Sequence, residues 1–371
     1  MEFTIDRDTF LRSLGHANGI IEKKTTLPIL SNILIEAKES KIKITATDLD
    51  IIYFEEIKPQ EIKKEGSTTT SASILYDILR KLQTNSKVEL TSLGINKLKL
   101  ISENSKFNLL CMPSNNFPLS EEDKNQKSFE ISSQKLLKLL NKTKISVSND
   151  ETRHYLNGIY LHKTILENKS FLCGVATDSH RLSSSSIEID QNINIEPIIL
   201  PKKTIFQLIG LLEQSNKTIK ISINKSKIKF EIDNGVLISK VIDGRFPDYN
   251  KVIPKDNSKI LEIKLSEFKN SIERVTTVSS DRKEGLKMLI SKDGMQLSVN
   301  NPNSGEGVEN IKAKFNSNDL SISFNSRYLT DIASQIENES IIIYLKDPGS
   351  PVLIRDSLDK NTFHVVMPMK I

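Results

Sequence analysis

Several things are scarce or missing in this 371-residue chain, and each absence removes a class of function. Cysteine occurs only as Cys111 and Cys173, each set among apolar residues (NLLCM and FLCGV). Isolated thiols in such surroundings read as buried free cysteines of a reducing compartment, not as a disulfide framework. The start, MEFTIDRDTF, carries acids where a secretory leader needs a basic and then an apolar stretch. No apolar run approaches the roughly 18 residues of a membrane span, so a cytoplasmic protein without a membrane partner is expected. Histidines are scattered singly, and HExxH, GxSxG, GxGxxG and a Walker A loop are all absent. Metal-ligand clusters, the common activated nucleophiles and nucleotide-phosphate cradles thereby lose support, and neither metal nor cofactor is expected.

What remains is a long, evenly charged chain. Its length exceeds what a single hydrophobic core sustains, so two or three domains are expected. Charged residues make up 27% and are not gathered into single-sign blocks, which argues against a disordered tail. A net charge of +5 permits a nucleic-acid partner without requiring one.

One stretch, GVATDSHRL at 174–182, looks like chemistry: Asp178 and His180 stand two apart, with Arg181 beside them. Side chains at i and i+2 of a strand share a face, so an acid–base pair is geometrically possible. With no nucleophile motif nearby, the competing reading is that Asp178 stabilises a turn.

The chain repeats itself. FTIDRDTFLRSL, FEISSQKLLKLL and LEIKLSEFKNSI begin at Phe3, Phe129 and Leu261, 126 and then 132 residues apart. Each alternates apolar and polar residues and then places apolar residues four apart, predicting a short strand leading into an amphipathic helix. Ser132 or Ser133 and Ser266 are the expected N-caps. A second helix is predicted within SASILYDILRKL, LPKKTIFQLIGLL and FNSRYLTDIASQI, and Phe117-Pro118, Phe246-Pro247 and Met367-Pro368 close the three units. Alternating strands with Asn234-Gly235 and Asp293-Gly294 turns fill the rest. The fold class is therefore α+β with antiparallel sheets, in three similar domains of two β-α-β-β-β halves each: 1–127, 128–254 and 255–371.

With TTLPILSN, YLNGIYL, VATDSHRLS, DGRFPDY, PGSPVLI and VVMPMKI in this order, the whole chain resembles the bacterial β sliding clamps, the processivity subunits of DNA polymerase III. The resemblance implies a clamp fold, with helices lining a channel and sheets outside. It also implies a non-catalytic homodimer that encircles double-stranded DNA without reading its sequence and tethers the polymerase. A compact domain of about 124 residues is roughly 35 Å across, so three in a ring leave a hole of only about 5 Å while six leave about 35 Å, wide enough for a duplex. A helical wheel puts Lys135, Lys138 and Lys142 together, opposite Leu136, Leu137 and Leu140, as a basic face for such a channel; Leu139 does not fit.

Site residues follow from the motifs. The resemblance implies DNA contacts at Lys24, His154 and Tyr155, with Ser73 and Asp150 standing where relatives carry other polar groups. It implies a peptide pocket for DNA polymerase III, other polymerases and the clamp loader, built from Leu156, Thr177, His180, Arg181, Leu182, Pro247, Val252, Val365, Met367, Pro368 and Met369. Alternation in HVVMPMKI places Val365, Met367 and Met369 on one side, and methionine adapts to varied apolar partners. Ser179 replaces a common glycine and Lys251 a common arginine. Phe107 and Leu109 are implied at the dimer interface against Thr277 and Val278, a smaller and more polar pair than is usual.

Overall fold

A computed structural model describes residues 1–22, 26–119, 127–193, 195–279 and 285–370. Among them are six α-helices: α1 (Arg7–Asn18), α2 (Ala72–Lys81), α3 (Ser133–Lys144), α4 (Lys202–Leu212), α5 (Leu265–Val275) and α6 (Ser326–Ala333). The three repeated openings fold as their periodicity predicts. Strands Glu2–Asp6, Lys127–Ser132 and Lys259–Lys264 run directly into α1, α3 and α5.

The caps differ from expectation. Asp6 accepts the Thr9 N–H at 2.8 Å and Asn325 accepts that of Arg327 at 3.0 Å, each satisfying an orphan donor of a first turn. Ser133 instead turns its hydroxyl to the Ser215 carbonyl at 2.9 Å. Ser266 lies inside α5, because the strand's pairing with Ser340 ends at Lys264 and makes that residue the N-cap, two positions earlier.

The chain divides into two compact units, the first mainly Met1–Leu137 with Lys203–Val241, the second mainly Lys138–Ile193 with Ile242–Ile371. In the first, a five-stranded sheet ends on Ser105–Leu110, and an eight-stranded sheet joins the strand Ile51–Ile57 to Gly235–Lys240. Phe3, Ile5, Phe10 and Leu14 are fully buried, with the two phenylalanine rings edge to face at 6.4 Å.

In the second unit a twelve-stranded antiparallel sheet runs through the strands Arg181–Ile189 and Thr362–Val366, which pair with each other. Phe268, Ile272, Leu329 and Ile332 of α5 and α6 are buried in its largest apolar cluster. Complete burial of each such side chain is worth about 1.5–3 kcal/mol.

Two details of α3 correct the wheel. Leu139 is fully buried because Gly174, across from it, has no Cβ: one built there would lie 2.5 Å from Leu139 Cδ2. Lys142 is buried as well, its ammonium held by the Gln335 carbonyl and, at 2.9 Å, by Glu337. Lys138 is exposed but bridges Glu337 and Asp359, both at 3.1 Å. Of the three lysines grouped as a basic face, only Lys135 stands exposed without an ion pair among the described residues, so the free cationic stripe is reduced to it.

Candidate functional site

The stretch that resembled an acid–base pair is a hydrogen-bonded turn. Asp178 Oδ1 accepts the backbone N–H groups of His180 and Arg181, both at 3.0 Å, and Oδ2 accepts Arg181 Nε at 3.0 Å. Thr177 Oγ1 donates to the Arg181 carbonyl at 2.7 Å and accepts the Ser179 N–H at 3.1 Å. All of the Asp178 carboxylate's partners are therefore donors that hold the loop, an Asx turn. A second pair that looks reactive, Ser183 Oγ and His364 Nδ1 at 2.7 Å, is sealed: the residues are 0% and 1% exposed. Burial, together with the charges of Lys142 and Arg181, pushes the His364 imidazole down to about 3, so it stays neutral.

Beside the turn lies a cavity of about 220 Å³. Its floor is Leu156, Leu182 and Val365, buried members of one apolar cluster that also holds Phe246. The wall comes from Thr177, His180 and Arg181 on one side and from Pro247, Val252 and Met367 on the other. Pairing of Leu182 with Val365 sets the floor, and the Met367 N–H donates to the His180 carbonyl at 2.8 Å, tying the chain's last segment to the turn.

Pro368 and Met369 do not line this cavity. The regular strand stops at Val366, and the Met369 N–H goes to the Ser323 carbonyl at 2.7 Å, drawing that residue aside. The simple alternation expected along HVVMPMKI therefore ends before these two.

Two lining residues were not anticipated, Asp248 and Tyr249, while Ser179, singled out as replacing a common glycine, lines the cavity as well. Tyr249 lay inside the quoted DGRFPDY, two residues after Pro247, so the motif already carried the signal.

Arg181 is not a free cation. Besides Asp178 it reaches Asp331 at 2.7 Å, and its guanidinium lies 4.3 Å from the centre of the Tyr328 ring. At the rim, Arg153 donates to Asp150 at 2.8 Å and to the Ser179 hydroxyl at 2.6 Å. Asp150 also takes the hydroxyl and N–H of Thr152, and these bonds push its carboxyl down to about 2. Lys251 stands 3.6 Å from Asp248.

Elsewhere, His154 is exposed, with Nε2 3.2 Å from the Asp243 carbonyl, and Tyr155 packs half-buried beside it. Lys24 lies outside the described residues. Phe107 and Leu109 are half-buried on Ser105–Leu110, which pairs only with Lys97–Ser102 among the described strands. Thr277 is exposed and returns its hydroxyl to the Glu273 carbonyl at 3.0 Å, while Val278 packs partly against its own core. Among the described residues no group of His, Cys, Asp and Glu could hold a metal ion, and no helix is long and apolar enough to cross a membrane.

Comparison with known proteins fits this geometry. Sequence-family models of the DNA polymerase III beta subunit match residues 1–121 (N-terminal domain), 130–248 (central domain) and 250–370 (C-terminal domain). The beta sliding clamp of Caulobacter vibrioides is 35% identical over 373 residues and that of Escherichia coli 28% over 371, each alignment covering 100% of both chains. Among solved structures, the sliding clamp of Bartonella birtlesii bound to griselimycin is 37% identical with a TM-score of 0.96 over 100% of both chains. The Caulobacter crescentus clamp also gives a TM-score of 0.96, at 35% identity, over 100% of this chain and 99% of that one. The chain belongs to the DNA polymerase III beta-subunit family, the non-catalytic sliding clamps of DNA replication.

Proposed function

We propose that two copies of this chain close head to tail around duplex DNA and hold a replicative polymerase there through a peptide seated in the 220 Å³ cavity. Each copy is read as three clamp domains, 1–127, 128–254 and 255–371, working in the cytoplasm. DNA polymerase III, other polymerases and the clamp loader would present short segments to the cavity. A Bartonella birtlesii relative was solved with griselimycin bound, which supports a ligand-accepting surface on clamps of this type.

The observation that carries the dimer is a repeated joint. The strand Ile51–Ile57 adds Gly235–Lys240 at its edge, and Arg181–Ile189 adds Thr362–Val366 in the same antiparallel way. The corresponding strand of the last repeat, Gly305–Phe315, pairs with Lys259–Lys264 only through Ala313–Phe315, which leaves its first residues without a second neighbour among the described strands. Ser105–Leu110 is equally open on one side. Joining the two across copies would repeat the same joint a third time, and unpaired strand edges are otherwise a liability. Phe107 and Leu109 would meet Thr277 and Val278 there.

Topology replaces affinity in such a clamp. Lys24, His154 and Tyr155 would make phosphate-level contacts, since base reading or many ion pairs would stop sliding. To test this, the protein is loaded with a clamp loader and ATP onto nicked circular DNA, and the circle is then cut. Release on cutting is expected; retention on the linear product with free ends would sink the ring, and failure to be retained on the uncut circle would favour a peptide-binding scaffold.

A further inference from the structure

The cavity wall has a second layer behind it. Tyr249 lines the cavity, and its hydroxyl lies 3.0 Å from His162 Nε2. The other ring nitrogen, Nδ1, lies 3.2 Å from the Lys163 carbonyl. One neutral tautomer satisfies both contacts, with Nδ1–H donating to the carbonyl and Nε2 accepting the Tyr249 O–H. Tyr160 fills the space alongside: its ring centre is 4.8 Å from that of His162 and 4.9 Å from that of Phe246, on which it stacks at 4°. Tyr160 and Tyr249 pack against the same cluster as Leu156, Leu182 and Val365, so this aromatic layer and the cavity floor are continuous. Tyr249 also opens the short 3-10 turn Tyr249–Val252, so fixing its phenol fixes Val252, 41% exposed, in the opposite wall.

We infer that His162 is a positioning residue for the peptide cavity: by accepting the Tyr249 hydroxyl it holds Tyr249 and Val252 in place, and protonation removes that acceptor and re-aims the phenol. The inference rests on the cavity being the peptide site proposed above.

An imidazolium has no acceptor, so Nε2–H becomes a donor to the Tyr249 oxygen, the bond reverses, and the phenol O–H has to turn away. Cys173 belongs to the cluster against which Tyr249 packs. The titratable groups packed about this pair are Tyr160, Cys173, Tyr249 and, next to the phenol, Asp248. The Lys163 ammonium is turned to the carbonyls of Gln191 and Ile193, at 2.7 and 2.8 Å. Burial holds His162 below its ordinary value of 6.5, so the neutral acceptor is the form present at pH 7 and is lost in acid.

Griselimycin is the probe, titrated calorimetrically into the full chain between pH 7.5 and 5.0. The wild type is expected to lose affinity toward the acid end of this range, by about 2- to 10-fold, the worth of one hydrogen bond. His162→Phe, which keeps an aromatic ring in the layer, should bind more weakly at pH 7.5 and show a flatter profile. Tyr249→Phe should do the same, and the double variant should be no weaker than either single one. His180, exposed at the cavity, is common to all of these chains, so its share cancels in the comparison. A His162→Phe profile that matches the wild type, or runs parallel to it at lower affinity, overturns the positioning role while leaving the cavity reading intact. Absence of binding to the wild type itself would overturn the cavity reading and the inference with it.

Discussion

The same five-residue turn occurs twice, once where a cavity forms and once where none is needed. In Thr47–Ile51, Asp48 Oδ1 accepts the N–H groups of Asp50 at 3.0 Å and Ile51 at 2.6 Å, and Thr47 Oγ1 donates to the Ile51 carbonyl at 2.9 Å. Thr177–Arg181 repeats each of these bonds, and the middle residues, Leu49 and Ser179, share a φ of 78°. Even the strand beyond is tied on alike: the Lys240 N–H donates to the Asp50 carbonyl as that of Met367 does to the His180 carbonyl, both at 2.8 Å. The Thr-Asp pair is thus a folding device of the repeat, and the functional difference lies in what the scaffold carries. Asp50 and Lys240 form an exposed ion pair at 2.9 Å, whereas His180 and Met367 flank an apolar cavity.

The largest expected difference concerns two imidazoles beside the joints, His16 half-buried and His364 fully buried. His16 sits with Glu55 and Tyr53, at 3.3 and 3.2 Å, and this neighbourhood holds the Glu55 carboxyl below its ordinary range against the opposing cost of burial. His364 has no carboxylate partner and is pushed down to about 3. Between that value and its ordinary 6.5 the unfolded chain binds the extra proton, so the contribution of His364 is complete above 6.5 and is lost as the pH falls. A slope approaching 1.4 kcal/mol per pH unit gives about 2 kcal/mol between pH 7 and pH 5. Urea unfolding of His364→Gln should show a correspondingly shallower loss over that interval. An unchanged slope would mean that the histidine is hydrated in the folded state.

Next in size are the two turn carboxylates. Asp48→Ala and Asp178→Ala each strand two backbone N–H groups, and each should cost about 1–2 kcal/mol in urea unfolding. Only Asp178→Ala should also weaken griselimycin binding. Equal loss of binding in both variants would mean that the effect is global, and the distinction between scaffold and cargo would fail.

How much of this was readable beforehand depends on how local each cause is. The strand-to-helix openings were legible because alternation and four-residue spacing act within a dozen residues. Leu139 was not, since its burial depends on Gly174, which is remote in sequence. Lys142 misled the wheel for the same reason: a helical projection shows that it shares a face with Lys138, not that Gln335 and Glu337 will seal it. Around the cavity, Leu156, Thr177, Leu182 and Val365 line it because they lie in or beside paired strands, and Pro368 and Met369 fall outside the lining because the strand ends first. The Asn234-Gly235 turn is likewise displaced: Asp233 and Asn234 make the bend and Gly235 pairs with Ile232, where a Cβ would stand 2.8 Å from the Tyr53 hydroxyl.

The smallest expected effect separates the two turns most finely. A side chain at positive φ costs roughly 1–2 kcal/mol, and glycine returns that at an entropic cost of roughly 0.5–1 kcal/mol. Leu49 is 45% exposed and gives up little burial, so Leu49→Gly should gain about 0.5 kcal/mol in urea unfolding. At Ser179 the serine contributes something that a glycine cannot, the hydroxyl that accepts from Arg153 at 2.6 Å. Losing a bond to a charged donor offsets the relief of strain, so Ser179→Gly should be neutral within about 0.5 kcal/mol. It should also leave Arg153 held at the cavity rim by Asp150 without the Ser179 contact, seen as a changed griselimycin affinity with unchanged stability. If Ser179→Gly instead stabilises as much as Leu49→Gly and leaves the affinity alone, the Arg153–Ser179 bond has no weight, and the two turns differ only in their neighbours.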